Sequence, residues 1–205
     1  MRIGIDFDNT IVCYDQVFHQ VAGEQGLLNG DVPVTKEAVR DHLRAHGLEQ
    51  TWIEMQGYVY GARMHDAQPF DGVVEFFAVC RQKGIETCII SHKTKHPFAG
   101  PGYDLHEAAR TWLKSQPFSG ADAPGRAPQV FLELTKQDKL RRIELERCDW
   151  FIDDLPEFLS EASFPSSCKR WLFDPHRCHA TTTIFAYVSS WDVLQRELFN
   201  KVKAA

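Results

Sequence analysis

Short apolar runs alternate along this chain with stretches of helical periodicity, and most of the runs end in a polar or small residue. This alternation is typical of a parallel β-sheet wrapped by helices. The predicted strands cover residues 2–7, 86–90, 129–132, 149–152, 170–173 and 184–188. The predicted helices that follow them cover residues 70–83, 105–115, 136–147, 155–162 and 191–201. The pattern therefore predicts an α/β fold with a Rossmann-like, doubly wound parallel sheet.

The interval between the first two predicted strands is far longer than a simple βαβ connection requires. Helical patterns at 14–26, 35–46 and 49–64 fill it, and Gly57 and Gly61 stand one helical turn apart, which permits another segment to approach closely. We therefore expect a small helical cap inserted after the first strand. The predicted domains are an α/β core of residues 1–12 and 66–205 and a cap of residues 13–65. Gly- and Pro-rich stretches predict loops at 96–103 and 118–128.

Composition narrows the classes of partner. The chain has 205 residues and a formal net charge of −5. An acidic balance makes nucleic acid an unlikely partner and leaves small anionic substrates open, since positive charge can be local. The absence of a long apolar run and of a signal-peptide pattern predicts a cytoplasmic protein without a membrane partner. The six cysteines show no Cys-x-x-Cys spacing, so we expect reduced thiols. The sequence does not predict the oligomeric state.

The most informative segment is 6–10, Asp-Phe-Asp-Asn-Thr, at the end of the first predicted strand. Side chains alternate along a strand, so Asp6 and Asp8 point the same way. Two like charges held so close need a cation or a proton between them, which indicates a metal site or acid–base chemistry. An EF-hand calcium loop is excluded, because Ile11 and Val17 stand where that loop needs Gly and Glu. A helix cap formed by residues 8–10 remains an alternative.

Other polar residues stand at the ends of later predicted strands. Open α/β sheets bind ligands at the carboxyl ends of their strands, so these residues should meet. Ser91 follows the second strand, and Asp153 and Asp154 follow the fourth. The third strand leads to a helix start with a capping-box spacing, whose lysines are Lys136 and Lys139. A helix N-terminus favours anions. Together these residues supply two pairs of acids, a hydroxyl and a cation.

This set of four motifs, carried by segment 6–10, Ser91, a lysine and the Asp153-Asp154 pair, resembles the haloacid dehalogenase (HAD) superfamily. The resemblance implies a phosphatase, or alternatively a phosphomutase, rather than a dehalogenase, because Asp8 is an acid. It implies that Asp6 attacks phosphorus to form an aspartyl-phosphate, and that Asp8 acts as general acid and base. Ser91 and a lysine would hold the phosphoryl oxygens. Mg²⁺ would be the cofactor, and its implied ligands are Asp6, Asp8, Asp153 and Asp154.

Two choices remain open within this interpretation. Lys139 stands fourteen positions before Asp153, a spacing similar to that of compact family members, while Lys136 is nearer the helix start; we favour Lys139. Either Asp153 or Asp154 could ligate the metal directly. Specificity is expected in the cap and after Ser91. The candidate substrate-binding residues are Thr10, Gln56, Tyr60, Arg63, His92, Lys93 and Lys136.

The sequence thus predicts a Mg²⁺-dependent phosphomonoester hydrolase for a small metabolite, a nucleotide or a sugar phosphate. The C-terminal stretches 172–175 and 188–191 are similar to the small 5'-nucleotidase-like branch. Two alternatives are a protein that binds or senses a phosphorylated metabolite with little activity, and a nucleic-acid end phosphatase. One cluster of zinc-type ligands stays unassigned; it consists of Cys168, His176, Cys178 and His179.

Overall fold

A computed structural model describes residues 1–119, 127–180 and 182–203 of the chain. Two compact units are distinguished by their contacts. The first comprises Met1–Ile11, Pro69–His92 and Pro117–Ala205, and the second comprises Val12–Gln68 and Lys93–Gln116. We name them the α/β unit and the helical unit. Most of the loop predicted at 118–128 lies outside the described residues.

The α/β unit has the alternation of strands and helices that the sequence predicts. Its strands are β1 (Arg2–Ile5), β4 (Glu86–His92), β5 (Gln129–Glu133), β6 (Trp150–Asp153), β7 (Lys169–Phe173) and β8 (Ala186–Val188). Its helices are α4 (Val73–Gln82), α6 (Lys136–Leu145), α7 (Pro156–Leu159) and α8 (Trp191–Lys203). Two strands of two residues each, β2 (Val12–Cys13) and β3 (Gln68–Pro69), lie where the chain passes from one unit to the other.

Within the described residues, the main sheet has six strands in the order β5-β4-β1-β6-β7-β8. Every pair of neighbours is parallel. The chain builds outward from β1 in one direction and then, from β6, in the other. The carboxyl ends of β1 and β6 therefore border the point where the winding reverses, which is where such sheets bind ligands. The predicted doubly wound parallel sheet is confirmed.

Side chains pack on both faces of the sheet because parallel strands are covered by helices on both sides. On one face, Cys88 and Ile90 of β4 pack in a core with Leu140 and Ile143 of α6. Elsewhere in the unit, α4 packs against α8, with the ring centroids of Phe76 and Trp191 4.9 Å apart. All six cysteines lie within the described residues and none forms a disulfide, as the spacing predicts.

The helical unit contains α1 (Asp15–Glu24), α2 (Lys36–Ala45), α3 (Glu49–Tyr60) and α5 (Leu105–Ser115), with a 3₁₀ turn at Met64–Asp66. Its core is aromatic: the ring centroids of Phe18 and Trp52 are 4.9 Å apart, and Tyr60 packs edge-on against Tyr14. Trp52 is 2% exposed, so it is a packing residue rather than a surface aromatic.

Gly57 of α3 and Gly61, which caps the end of α3, admit a second segment of this unit, as predicted. A Cβ atom on Gly57 would lie 2.7 Å from Cβ of Pro97, and one on Gly61 would lie 2.5 Å from the Tyr103 side chain. Residues 93–116 cluster with the helical unit, in which the Trp112 indole donates a hydrogen bond of 2.8 Å to the Ala67 carbonyl. The predicted cap of residues 13–65 did not include this segment. The role of the unit as a cap remains a prediction.

Among the described residues, no helix combines the length and the apolar composition that crossing a membrane requires.

Candidate active site

The segment after β1 forms a tight turn at the carboxyl edge of the sheet. Asp6 extends the pairing of β1 by donating its backbone N–H to the Ile152 carbonyl at 2.9 Å. Asn9 has a φ of +56°, a left-handed conformation that asparagine tolerates better than most residues. The N–H of Ile11 then closes the turn on the Phe7 carbonyl at 3.0 Å. The alternative of a helix cap is wrong, because α1 begins only at Asp15 and Tyr14 is its N-cap.

Lys139 brings the ends of β1 and β6 together. Its ammonium donates to Asp6 Oδ1 at 2.5 Å and to Asp153 Oδ2 at 2.6 Å. All three side chains are buried, at 5% exposure for Asp6, 2% for Lys139 and 0% for Asp153. A buried charge is tolerated only when it is paired and hydrogen-bonded, which this arrangement achieves for the ammonium.

The start of α6 positions this lysine. The Thr135 hydroxyl accepts from the Asp138 N–H at 3.0 Å and donates to its carboxylate at 2.7 Å, forming the predicted cap. Lys139 lies one turn further along the helix. Its Nζ lies 4.2 Å from the Phe158 ring centroid, a cation–π contact. The sequence pattern predicts no role for Phe158, although an aromatic residue four positions after the acid pair is a usable signal.

The turn after β6 holds the second acid pair. Asp153 Oδ1 accepts from the Leu155 N–H at 2.9 Å, so both of its oxygens are engaged. Thr10 is fully buried, and its hydroxyl donates to Asp154 Oδ1 at 3.3 Å. Thr10 therefore links the turn after β1 to the turn after β6. This role differs from the substrate contact predicted for Thr10, and that contact stays a prediction.

The charges of the site are unbalanced. Burial raises the pKa of Asp6 to about 7, a shift that the Lys139 ammonium opposes and that the neighbouring Asp153 and Asp8 carboxylates reinforce. Burial lowers the pKa of Lys139, but the Asp153 and Asp6 carboxylates outweigh that effect and raise it above its ordinary value. Lys139 is therefore an ammonium group at neutral pH, and one positive charge faces several acids.

These acids fit a divalent cation. Asp6, Asp153 and Asp154 each offer a carboxylate oxygen within 4.8 Å of the others. Opposite ligands of an octahedral Mg²⁺ are about 4.2 Å apart, since each Mg–O bond is about 2.1 Å, so a small movement would let all three reach one ion. Hard oxygen donors with an excess of negative charge are the ligand set that Mg²⁺ prefers. Asp8, the fourth predicted ligand, is half-buried in the same turn.

Ser91, Lys136 and His92 occupy the same edge of the α/β unit. Ser91 is 1% exposed and lies near the end of β4, while His92 is the last residue of that strand and is exposed. Lys136 is the first residue of α6 and is half-buried, whereas Lys139 contacts Asp6. This placement favours Lys139 as the phosphoryl-binding lysine, although the roles of both lysines stay predictions.

The remaining candidate substrate residues belong to the helical unit. Lys93 is 4% exposed, and its Nζ lies 4.9 Å from the ring centroid of Tyr60. Arg63 is held by Glu24 at 2.6 Å and also pairs with Asp66, so its guanidinium has structural partners. Gln56 is half-buried on α3. Their predicted contacts with a substrate stay predictions.

The four zinc-type ligands do not form one site. Cys168 directly precedes β7, whereas His176, Cys178 and His179 follow it. A five-residue strand is about 16 Å long, so the cysteine lies at the opposite end from the other three. The groups of potential metal ligands found within the described residues do not include this set.

Comparison with solved structures identifies the architecture. The chain matches a HAD family hydrolase from Deinococcus radiodurans with bound phosphate and sodium (TM-score 0.55, 15% identity, 97% of this chain and 95% of that chain). It matches the HAD hydrolase YfnB from Bacillus subtilis, bound to magnesium (TM-score 0.51, 12% identity, 96% and 97%). The chain has the HAD fold. It also matches Protein Tyrosine Kinase A of Mycobacterium tuberculosis (TM-score 0.59, 16% identity, 96% and 97%).

No family model matches the chain, and no curated protein matches it by sequence. The likeness to HAD structures therefore concerns the fold, and it confirms the family resemblance at that level. The narrower similarity to 5'-nucleotidase-like proteins is not supported by these comparisons and stays a prediction.

Proposed function

We propose that this protein is a Mg²⁺-dependent phosphomonoester hydrolase that acts on a small phosphorylated metabolite through an aspartyl-phosphate on Asp6. The observation that carries the proposal is the buried Lys139 ammonium shared by Asp6 and Asp153, with Asp154 close by. A nucleophile, a phosphate-binding cation and a set of metal ligands are thereby gathered at one point of the sheet.

Asp6 is the nucleophile. One of its carboxylate oxygens attacks phosphorus, the bond from phosphorus to the leaving oxygen breaks, and the phosphoryl group is transferred to Asp6. Asp8, two residues further along the same turn, protonates the leaving oxygen, so the product departs as a neutral alcohol. Asp8 then takes a proton from water, which attacks the aspartyl-phosphate and releases phosphate.

The other residues position the reacting groups. Lys139 holds Asp6 in place. In this proposal the Lys139 ammonium also donates to a phosphoryl oxygen, and the Ser91 hydroxyl donates to a second one. Asp6, Asp153 or Asp154 and the backbone near Asp8 would hold Mg²⁺, which would neutralise charge on the phosphoryl oxygens. Thr10 keeps the turns that carry these acids together.

Two of the structures with this fold support the chemistry. The protein from Deinococcus radiodurans is described with bound phosphate, and YfnB is described bound to magnesium. Those ligands belong to those proteins, and they agree with the ligand types that the acids and the lysine of this site favour.

The test is hydrolysis of p-nitrophenyl phosphate and of a panel of nucleotides and sugar phosphates, with Mg²⁺ and with EDTA. We expect Mg²⁺-dependent phosphate release, reduced at least 1,000-fold in Asp6→Asn, because covalent catalysis requires the carboxylate. Asp31→Asn, an exposed acid in the helical unit, is the matched control and should keep wild-type activity.

Absence of phosphate release from every compound would leave a binding or sensing protein as the better interpretation. Release that is strongly inhibited by oligonucleotide ends, with inhibition weakening as salt is added, would favour a nucleic-acid end phosphatase.

A further inference from the structure

The loop that follows β7, residues 174–179, leaves the sheet beside the catalytic acids. Asp153 of β6 is aligned with Leu172 of β7, and Asp174 is two residues beyond Leu172. Neighbouring strands are about 4.8 Å apart and residues along a strand about 3.3 Å, so the Cα atoms of Asp153 and Asp174 are about 8 Å apart. The loop therefore lies within the reach of a small substrate bound at Asp6.

A buried carboxylate holds this loop in one conformation. Asp174 is 7% exposed, and its two oxygens accept the backbone N–H groups of Cys178 at 2.9 Å and His179 at 3.0 Å. Its own N–H donates to the Val188 carbonyl of β8 at 2.8 Å. Burial of a carboxylate is costly unless its hydrogen bonds are made, so the loop cannot move away without a large penalty.

In this conformation, Arg177 lies at the tip of the loop. Arg177 has a φ of +55°, in the left-handed region that non-glycine residues rarely adopt, and its N–H donates to the Asp174 carbonyl at 3.2 Å. Such strain persists only where the surroundings impose it, and it concentrates at functional sites. The Arg177 side chain is exposed and forms no salt bridge within the described part of the chain.

Two exposed histidines, His176 and His179, flank Arg177, and residues 175–180 contain no acid. A guanidinium group donates two parallel hydrogen bonds to a carboxylate or a phosphate, so an arginine binds these anions in preference to neutral groups.

We propose that Arg177, positioned by Asp174, binds a second anionic group on the leaving portion of the substrate. The inference rests on the proposed function and deepens it. The substrate class is then a small phosphomonoester that also carries a carboxylate or another phosphate. Asp174 is a positioning residue, because it acts through the loop and does not contact the substrate.

Calorimetric titration with two phosphonates tests this without requiring turnover. Phosphonoacetate carries a carboxylate beside its phosphonate, and methylphosphonate lacks it. With Mg²⁺ present, we expect the wild-type protein to bind phosphonoacetate about tenfold or more tighter than methylphosphonate, as a charge-assisted hydrogen bond provides. Arg177→Ala should abolish this preference and leave methylphosphonate affinity unchanged.

Three further variants sharpen the result. Arg177→Lys should retain part of the preference, because it keeps the charge and loses the bidentate geometry. Asp174→Asn should weaken phosphonoacetate binding more than methylphosphonate binding and raise KM for doubly anionic substrates more than KM for p-nitrophenyl phosphate; a general structural defect would weaken binding of both phosphonates alike. Arg196→Ala, an exposed arginine on α8, should behave as wild type.

Equal binding of the two phosphonates by the wild-type protein would overturn the inference, as would a preference that survives in Arg177→Ala. Its failure is distinguishable from failure of the proposed function. Hydrolysis that depends on Asp6 without a phosphonoacetate preference refutes only the role of Arg177. A preference that depends on Arg177 in a protein without hydrolytic activity refutes only the proposed catalysis.

Discussion

At the scale of single residues, Lys139 has the largest predicted effect. Its ammonium donates hydrogen bonds to both Asp6 and Asp153, and removing it would leave two buried carboxylates facing each other. Breaking a buried ion pair by deleting one partner costs about 3 to 5 kcal/mol of folding free energy. Lys139→Met should therefore lower the free energy of unfolding by about that amount, measured by urea denaturation in EDTA.

Lys136→Met is the matched control for this change. Lys136 is on the same helix and is half-buried at its first position. Because its ammonium is not buried between carboxylates in the described structure, we expect a change within about 0.5 kcal/mol, as for most surface substitutions. Equal destabilisation by the two variants would show that the ion pairs of Lys139 do not stabilise the fold.

At the scale of elements, helix α6 acts as the support of the site. Thr135 caps α6 in the α/β unit, and Thr35 caps α2 in the helical unit, where it accepts from the Ala38 N–H at 3.1 Å. Loss of a threonine cap costs about 1 kcal/mol. Thr135→Ala and Thr35→Ala should therefore lower the unfolding free energy by similar amounts.

The two variants should differ in activity. Fraying the first turn of α6 displaces Lys139, so Thr135→Ala should reduce kcat for p-nitrophenyl phosphate several-fold, as small displacements of positioning groups do. Thr35→Ala should leave that kcat near the wild-type value. A larger loss of kcat in Thr35→Ala would contradict the assignment of α6 as the catalytic support.

The observed bounds of the strands and helices show which parts of the fold a sequence pattern can predict. Each strand of the main sheet was located from its apolar run, and α5 was predicted with its observed bounds, Leu105–Ser115. Boundaries near the site were less accurate: β1 was predicted to reach Phe7 but ends at Ile5, and β4 continues to His92. Strand pairing ends where the chain turns toward the site, and local propensity does not encode that turn.

Long-range packing limited the remaining predictions. Gly57 and Gly61 indicated that a segment approaches, but not that Pro97 and Tyr103 provide the contacts. The sequence pattern predicts no role for Asp174 itself, because nothing local shows that its carboxylate is buried and accepts two backbone N–H groups. In contrast, the acids at the ends of β1 and β6 were predicted together, because parallel strands bring their carboxyl ends to one edge.

At the scale of the whole molecule, the clustered acids of the site should lower the free energy of unfolding, and a bound cation should raise it again. One ammonium faces the carboxyl groups of Asp6 and Asp153, with Asp154 nearby, so acids outnumber cations at the site. Natural proteins accept such local costs at functional sites. Divalent cations should therefore raise the free energy of unfolding by binding at this site, and by more than the net charge of −5 alone would produce.

Thermal unfolding measures that dependence. A ligand present at 100 times its Kd stabilises the folded state by about 2.7 kcal/mol, which corresponds to a Tm increase of about 5 to 10 °C for a chain of this size. We expect saturating Mg²⁺ to raise Tm by that amount and EDTA to reverse it. Asp153→Asn should remove most of the increase, because it deletes a candidate ligand charge, whereas Asp31→Asn should retain it. A Tm that ignores Mg²⁺ in the wild-type protein would contradict the metal site, and an equal rise in all three proteins would place the Mg²⁺ effect elsewhere on the molecule.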